Sequence, residues 1–111
     1  MTKTLLIDRR HPGITIVSLN RPDKRNALTI ELMNEVIDLV RECKEKQNQR
    51  VLVFRGEGAS FCTGLDLYEA GDLTVAEESA HTIAQMYLEI YTSSVITMAS
   101  VHGHAVAGGA G

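Results

Sequence analysis

An alternation constrains this chain more than any other feature. Stretches with the apolar spacing of a helix take turns with short apolar runs of strand type. LLID and ITIVSLN are β-branched-rich runs separated by RRHPG, which predicts a hairpin turning on Pro12 and Gly13. RPDKRNAL breaks that pattern as a loop, and Thr29 is placed to cap a helix with Glu31 in its first turn. Met33, Val36, Ile37, Val40 and Cys43 then follow at helical spacing to about Lys46. VLVF, continuously apolar, predicts a buried parallel strand. Leu65 to Ala70 reads as a short helical turn. Thr74 and Glu77 read as a capping box opening a second helix, with Ala80, Ile83, Ala84, Tyr87 and Tyr91 along it, to about Ser94. ITMASVHGHAV predicts a last strand leading into glycines. The order ββ-α-β-α-β predicts an α/β fold.

Two glycine-rich segments, GEGASFCTG and HAVAGGAG, each follow a strand-type run. In α/β sheets ligands gather beyond the carboxyl ends of strands, where loops and helix starts offer unpaired N–H groups. A phosphate-binding P-loop is excluded by the spacing from Gly58 to Gly64 and by the lack of a following Lys-Ser/Thr. A dinucleotide fingerprint is excluded because Phe61 stands at the third glycine position. There remains a pair of backbone donor sites able to converge on one oxygen, an oxyanion hole. Plain turns are the competing reading.

LNRPDKRNAL, VLVFRGEGASFCTGLDL and VHGHAVAGGAG, in this order and at these separations, resemble the crotonase superfamily, the enoyl-CoA hydratase/isomerase group. The resemblance runs essentially over the whole chain and implies a spiral of ββα units. Members are roughly twice this length or more, so residues 1–111 are expected to be the N-terminal part of a single, incomplete domain. It also implies an acyl-CoA thioester as substrate, coenzyme A entering as part of that substrate with no separate cofactor, and assembly into trimers or pairs of trimers. By this likeness the first oxyanion donor is the N–H of Leu65, after the glycine of Phe61-Cys62-Thr63-Gly64-Leu65-Asp66, and the second is the N–H of Gly108, in Ala107-Gly108-Gly109. Cys62, Gly64, Asp66 and Leu67 would surround the substrate. Asp66 is expected to anchor its loop by accepting from helix-start amides. In the RPDKRNAL loop, Ala27 and Leu28 would offer backbone to coenzyme A, and Lys24 or Arg25 would meet a phosphate.

The chain also departs from that pattern. A gap-free reading puts Gly111 where hydratases carry their first glutamate, and glycine transfers no proton. Ile96 replaces a proline that commonly starts the last strand. A non-catalytic CoA-binding or assembly module is therefore the second reading. If 111 residues is the native length, a missing helix after the last strand would leave apolar surface uncovered and drive association.

Other classes are excluded or discounted. A net charge of −3 gives no electrostatic footprint for nucleic acid or an anionic membrane, and charged residues interrupt every candidate span. Two cysteines without metal spacing point to a reducing cytoplasm. His102 and His104, alternating on a predicted strand, would face opposite sides and hold no metal together. His81 has no partner one turn on. Cys62 reads as pocket wall, since no neighbouring base would activate it. Arg41, Lys44, Lys46 and Arg50 alternate with Glu42 and Glu45 and read as a solvated face.

Overall fold

A computed structural model describes residues 3–111. Strands β1 (Leu5–Asp8) and β2 (Ile14–Leu19) form the expected hairpin. Its turn closes with Ile14 N–H donating to His11 O at 3.1 Å, and Gly13 takes a φ of +79° that side chains other than glycine rarely adopt. Strand β3 (Val51–Gly56) runs parallel to β2, and β4 (Ile96–Ala99) runs parallel to β3, giving a sheet ordered β1-β2-β3-β4.

Helix α1 (Ile30–Glu45) connects β2 to β3. Its cap forms as expected: the Thr29 hydroxyl accepts from Leu32 N–H at 3.1 Å. Leu32, Met33, Val36, Ile37, Leu39, Val40 and Cys43 are buried along one stripe. The register pairs Thr15 with Leu52 and Val17 with Phe54, and the apolar members of these pairs join the α1 stripe in one core. Truncating a fully buried member such as Leu32 to alanine should cost about 3 kcal/mol.

The parallel pairing of VLVF agrees with its sequence, but its burial is narrower than expected. Leu52 alone is buried, while Val51, Val53 and Phe54 are half-buried. Val51 and Val53 share their sheet face with Ile96 and Met98, which are 64% and 55% exposed, and no element among the described residues covers that face.

The third helical stretch also differs from expectation. After the short helix α2 (Leu67–Ala70), helix α3 (Ala76–Tyr91) begins without the predicted capping box: Val75 is at the cap with no side-chain bond, and the Thr74 hydroxyl donates to Asp72 instead. An Asx turn two residues earlier has taken the hydroxyl. The helix is rotated from the predicted face. Ser79, Thr82 and Met86 are buried, Ile83 and Tyr87 half-buried, and Ala80, Ala84 and Tyr91 exposed. Glu89 of α3 accepts from Lys44 at 3.2 Å and Arg41 at 3.4 Å of α1, while Lys46 and Arg9 meet Glu42. The mixed-charge face of α1 is thus partly spent on ion pairs.

Strand β4 is shorter than ITMASVHGHAV predicted. The ladder finishes with Ser100 N–H donating to Phe54 O, because β3 has little left to pair with. His102 and His104 therefore lie in a loop. His102 Nε2 lies 2.7 Å from Gly58 O, and His104 O accepts from the Phe61 and Cys62 amides. At the start of β4, Ile96 N–H donates to Arg50 O at 3.0 Å, a bond that a proline would lack.

Candidate functional site

The loop 57–66 is held by a residue the sequence reading passed over. Asn26 is fully buried: its Oδ1 accepts from Arg21 N–H at 2.8 Å, and its Nδ2 donates to Glu57 O at 2.9 Å and Ser60 O at 2.8 Å. One amide thereby ties the RPDKRNAL loop to the first glycine loop. Asn26 adopts a φ of +56°, a conformation asparagine tolerates better than most residues. The legible signal was Asn in a turn after Pro-Asp; its carbonyl partners Glu57 and Ser60 lie in another loop and were not legible.

Arg21 was also missed. Its Nη1 donates to Ala27 O and lies 3.3 Å from Asp66 Oδ2, with both side chains largely buried. Asp66 then behaves as expected of an anchor, Oδ1 accepting from Tyr68 and Glu69 N–H at the start of α2. Glu69 in turn reaches Ile30 N–H at 2.7 Å, so a carboxylate of α2 sits at the positive end of α1.

These contacts bring Leu28 alongside Leu65. Leu28 N–H donates to Gly64 O at 2.8 Å and Leu28 O accepts from Asp66 N–H at 2.9 Å. In such a parallel bridge the middle residue's own N–H points away from its partner. Leu65 N–H accordingly has no protein acceptor among the described residues. The same bridge engages both backbone groups of Leu28, and its carbonyl keeps a second lone pair. Ala27 is similarly engaged, its N–H with Lys24 O and its O with Arg21. Lys24 and Arg25 are exposed and make no salt bridge among the described residues.

The terminal glycine segment folds as a 3-10 turn, Ala107–Ala110. It is anchored to the first loop through the Cys62–Ala105 bridge, with Val106 N–H donating to Cys62 O at 3.1 Å. A Cβ on Gly109 would overlap the Cys62 carbonyl, 2.6 Å from its carbon. Near the start of the turn, Gly108 N–H has no protein acceptor among the described residues, as the first amides of a helical turn do not.

Gly64 and Gly108 bring the two segments into contact. Gly64 is buried with a φ of +94°, and a Cβ there would stand 3.0 Å from both Gly108 N and Ala107 Cβ. The reciprocal Cβ on Gly108 would stand 3.4 Å from Gly64 Cα. Residues separated by more than forty positions are thus in backbone contact. Beside Gly108 an apolar cavity of about 850 Å³, bordered by Phe54, Met86, Tyr87, Val95 and Met98, opens to the surface; Gly108 lines it and Leu65 does not.

Of the remaining expected site residues, Cys62 is buried and Leu67 is 83% exposed at the start of α2. Burial pushes the Cys62 thiol above its ordinary range despite a bond to the Gly64 backbone that lowers it, so the group is a neutral thiol at pH 7. Burial likewise raises the Tyr87 phenol, which donates to Gly108 O. No group of three or more His, Cys, Asp or Glu able to hold a metal occurs among the described residues, and no helix there is long and apolar enough to cross a membrane.

Comparison with known proteins places this geometry in context. The family described as enoyl-CoA hydratase/isomerase matches residues 9–111. Enoyl-CoA hydratase domain-containing protein 2, mitochondrial, of Mus musculus is 34% identical over 100 residues, covering 87% of this chain and 34% of the relative. Enoyl-CoA hydratase AKT3-2 of Alternaria alternata is 32% identical over 96 residues, covering 85% of this chain and 32% of its own length. The crystal structure of enoyl-CoA hydratase from Bacillus anthracis superposes with a TM-score of 0.90 at 25% identity, over 96% of this chain and 43% of that one. A monofunctional enoyl-CoA isomerase from M. smegmatis gives 0.79 at 25% identity, over 97% and 44%. The chain spans less than half the length of each of these proteins. With the family match running over residues 9–111 and the fold superposed over nearly all of its length, the chain belongs to the enoyl-CoA hydratase/isomerase family and carries part of its crotonase fold.

Proposed function

We propose that this chain contributes the thioester-holding half of an acyl-CoA enzyme of the hydratase/isomerase type. In this reading the N–H groups of Leu65 and Gly108 donate to the thioester oxygen as it gains enolate charge. The packing of Gly64 on Gly108 carries the reading, because it sets two amides that have no protein acceptor among the described residues on adjoining backbone segments. A donor fixed in place before reaction costs no reorganisation when charge develops, and one such bond is typically worth about 3 kcal/mol in the transition state. Lys24 and Arg25, which make no salt bridge among the described residues, lie on the loop whose Leu28 bridges to Leu65 and supply cations for the phosphates of coenzyme A. Cys62, Gly64, Asp66 and Leu67 form the surrounding wall, with Asp66 as anchor rather than base.

Coenzyme A enters as part of the substrate, and no other cofactor is invoked. A cytoplasmic setting is in keeping with two buried free thiols, and assembly into trimers or pairs of trimers belongs to the same proposal. A complex with acetyl-CoA tests the assignment: the thioester oxygen is expected within hydrogen-bond distance of both amides. An oxygen bound away from them would overturn it.

A second reading is favoured by one observation. Gly111 has no side chain, and the Tyr87 hydroxyl stands 2.5 Å from where its Cβ would be, so no carboxylate from that position reaches the site. A module that binds CoA thioesters without turning them over fits this. Turnover of a panel of enoyl-CoA thioesters distinguishes it from the enzyme.

A further inference from the structure

Tyr87 has no role in the proposed chemistry, yet it makes the one side-chain hydrogen bond to the terminal glycine turn among the described residues. Its hydroxyl donates to Gly108 O across 21 positions of sequence. The ring is half-buried on α3, and α3 is fixed to α1 by buried Met86 and by the Glu89 ion pairs. The bond therefore ties a short glycine turn to the framework of the core.

The turn needs such a tie. Glycine has the largest conformational freedom to lose, and Gly108, Gly109 and Gly111 fall within four residues. The turn's own bonds are few: Gly109 N–H to Val106 O at 2.8 Å and Gly111 N–H to Gly108 O at 3.3 Å. Ala107 adopts a φ of +49°, which a residue with a Cβ holds only when its surroundings over-determine it. The absence of a side chain at 111 also has a use here. A Cβ there would lie 2.5 Å from the Tyr87 hydroxyl and 2.6 Å from the ring carbon that bears it. Glycine at 111 leaves room for the phenol to reach Gly108. The same phenol borders the apolar cavity beside Gly108.

We infer that Tyr87 is the positioning residue for the Gly108 amide: its hydroxyl, admitted by the missing side chain at Gly111, holds the glycine turn against Gly64 and so aims the Gly108 N–H. This rests on the proposed donation by Gly108. The step involves no bond making: the Tyr87 bond holds the Gly108–Gly109 peptide, and through the Gly108 Cα it restrains the neighbouring Ala107–Gly108 peptide, which carries the donor N–H, before a ligand arrives.

The test compares the 111-residue chain with Tyr87→Phe and Gly111→Ala, the second of which crowds the phenol while leaving it in the sequence. Two readings are taken on each: the 15N–1H resonances of Gly108 and Gly109, and the ratio of affinities for acetyl-CoA and for coenzyme A, which lacks the thioester oxygen. Both variants are expected to move and broaden the Gly108 and Gly109 resonances while the Leu28 resonance stays in place as a check on folding. Each is expected to lower the acetyl-CoA preference about fivefold, the size of one hydrogen bond's net contribution, with affinity for coenzyme A unchanged. Unmoved glycine resonances in Tyr87→Phe overturn the inference, as does an unchanged preference when wild type has one. A wild-type chain with no preference for the thioester overturns the functional reading itself, and the inference with it.

Discussion

Gly64 and Gly108 touch backbone to backbone, with Gly108 N only 3.0 Å from the place a Gly64 Cβ would fill. Gly64→Ala adds that atom at a φ of +94° and forces the two segments apart. The strained backbone alone should cost about 1–2 kcal/mol. Denaturant unfolding is expected to show a loss at least that large, whereas an unchanged midpoint would place the segments apart in solution.

Asn26 closes the other end of the site. Asn26→Ala strips partners from Arg21 N–H, Glu57 O and Ser60 O, and is expected to destabilise the chain by about 3 kcal/mol. Asn26→Asp keeps the shape but sets an acceptor against two carbonyls. It should be at least as damaging, and more so at pH 7 than at pH 4, where a protonated carboxyl can donate again. Thermal melts of the two variants at both pH values check this.

Much of this fold was readable because local signals and tertiary packing agree. The hairpin around Gly13 and the helix capped by Thr29 needed only neighbouring residues. Loops were less legible. The Thr74–Glu77 pattern is lost to Asp72, an equally local competitor, and the inward face of α3 was misjudged because it buries the small polar residues Ser79 and Thr82, which apolar periodicity does not register. The positions of Leu65 and Gly108 followed from a family likeness. Asn26, Arg21 and Tyr87 act through partners 5 to 45 positions away, and nothing in their own neighbourhoods announces that.

Glu89 gives the α1–α3 contact an acid dependence. Arg41 and Lys44 hold its carboxyl below the ordinary glutamate range by hydrogen bonding and charge. A depressed native value means that the stabilisation is present above the unfolded pKa and is lost as pH falls through the native one. Stability is therefore expected to decline on acidification through that range, and Glu89→Gln should flatten this part of the profile. The pair is near the surface, so the difference should shrink with added salt.

Cys43 and Cys62 are both buried with thiols raised by that burial. Neither is expected to react with iodoacetamide at neutral pH until the chain unfolds, and both should then label at the ordinary rate. Fast labelling of native Cys62, followed by mass spectrometry, would show its loop to be open.

The uncovered sheet face bears Ile96 and Met98 in the exposed state, and Val101 follows at 56% exposure. Such a patch favours association. Sedimentation of the 111-residue chain is expected to show concentration-dependent assembly, reduced by Met98→Lys.

The proposed chemistry requires two amides from distant positions to act on one oxygen. A titration of 15N-labelled chain with acetyl-CoA, set against coenzyme A alone, tests this most directly. The Leu65 and Gly108 resonances are expected to shift together, with one shared affinity, and only when the thioester is present. Shifts at one amide without the other, or equal shifts with coenzyme A, would contradict it.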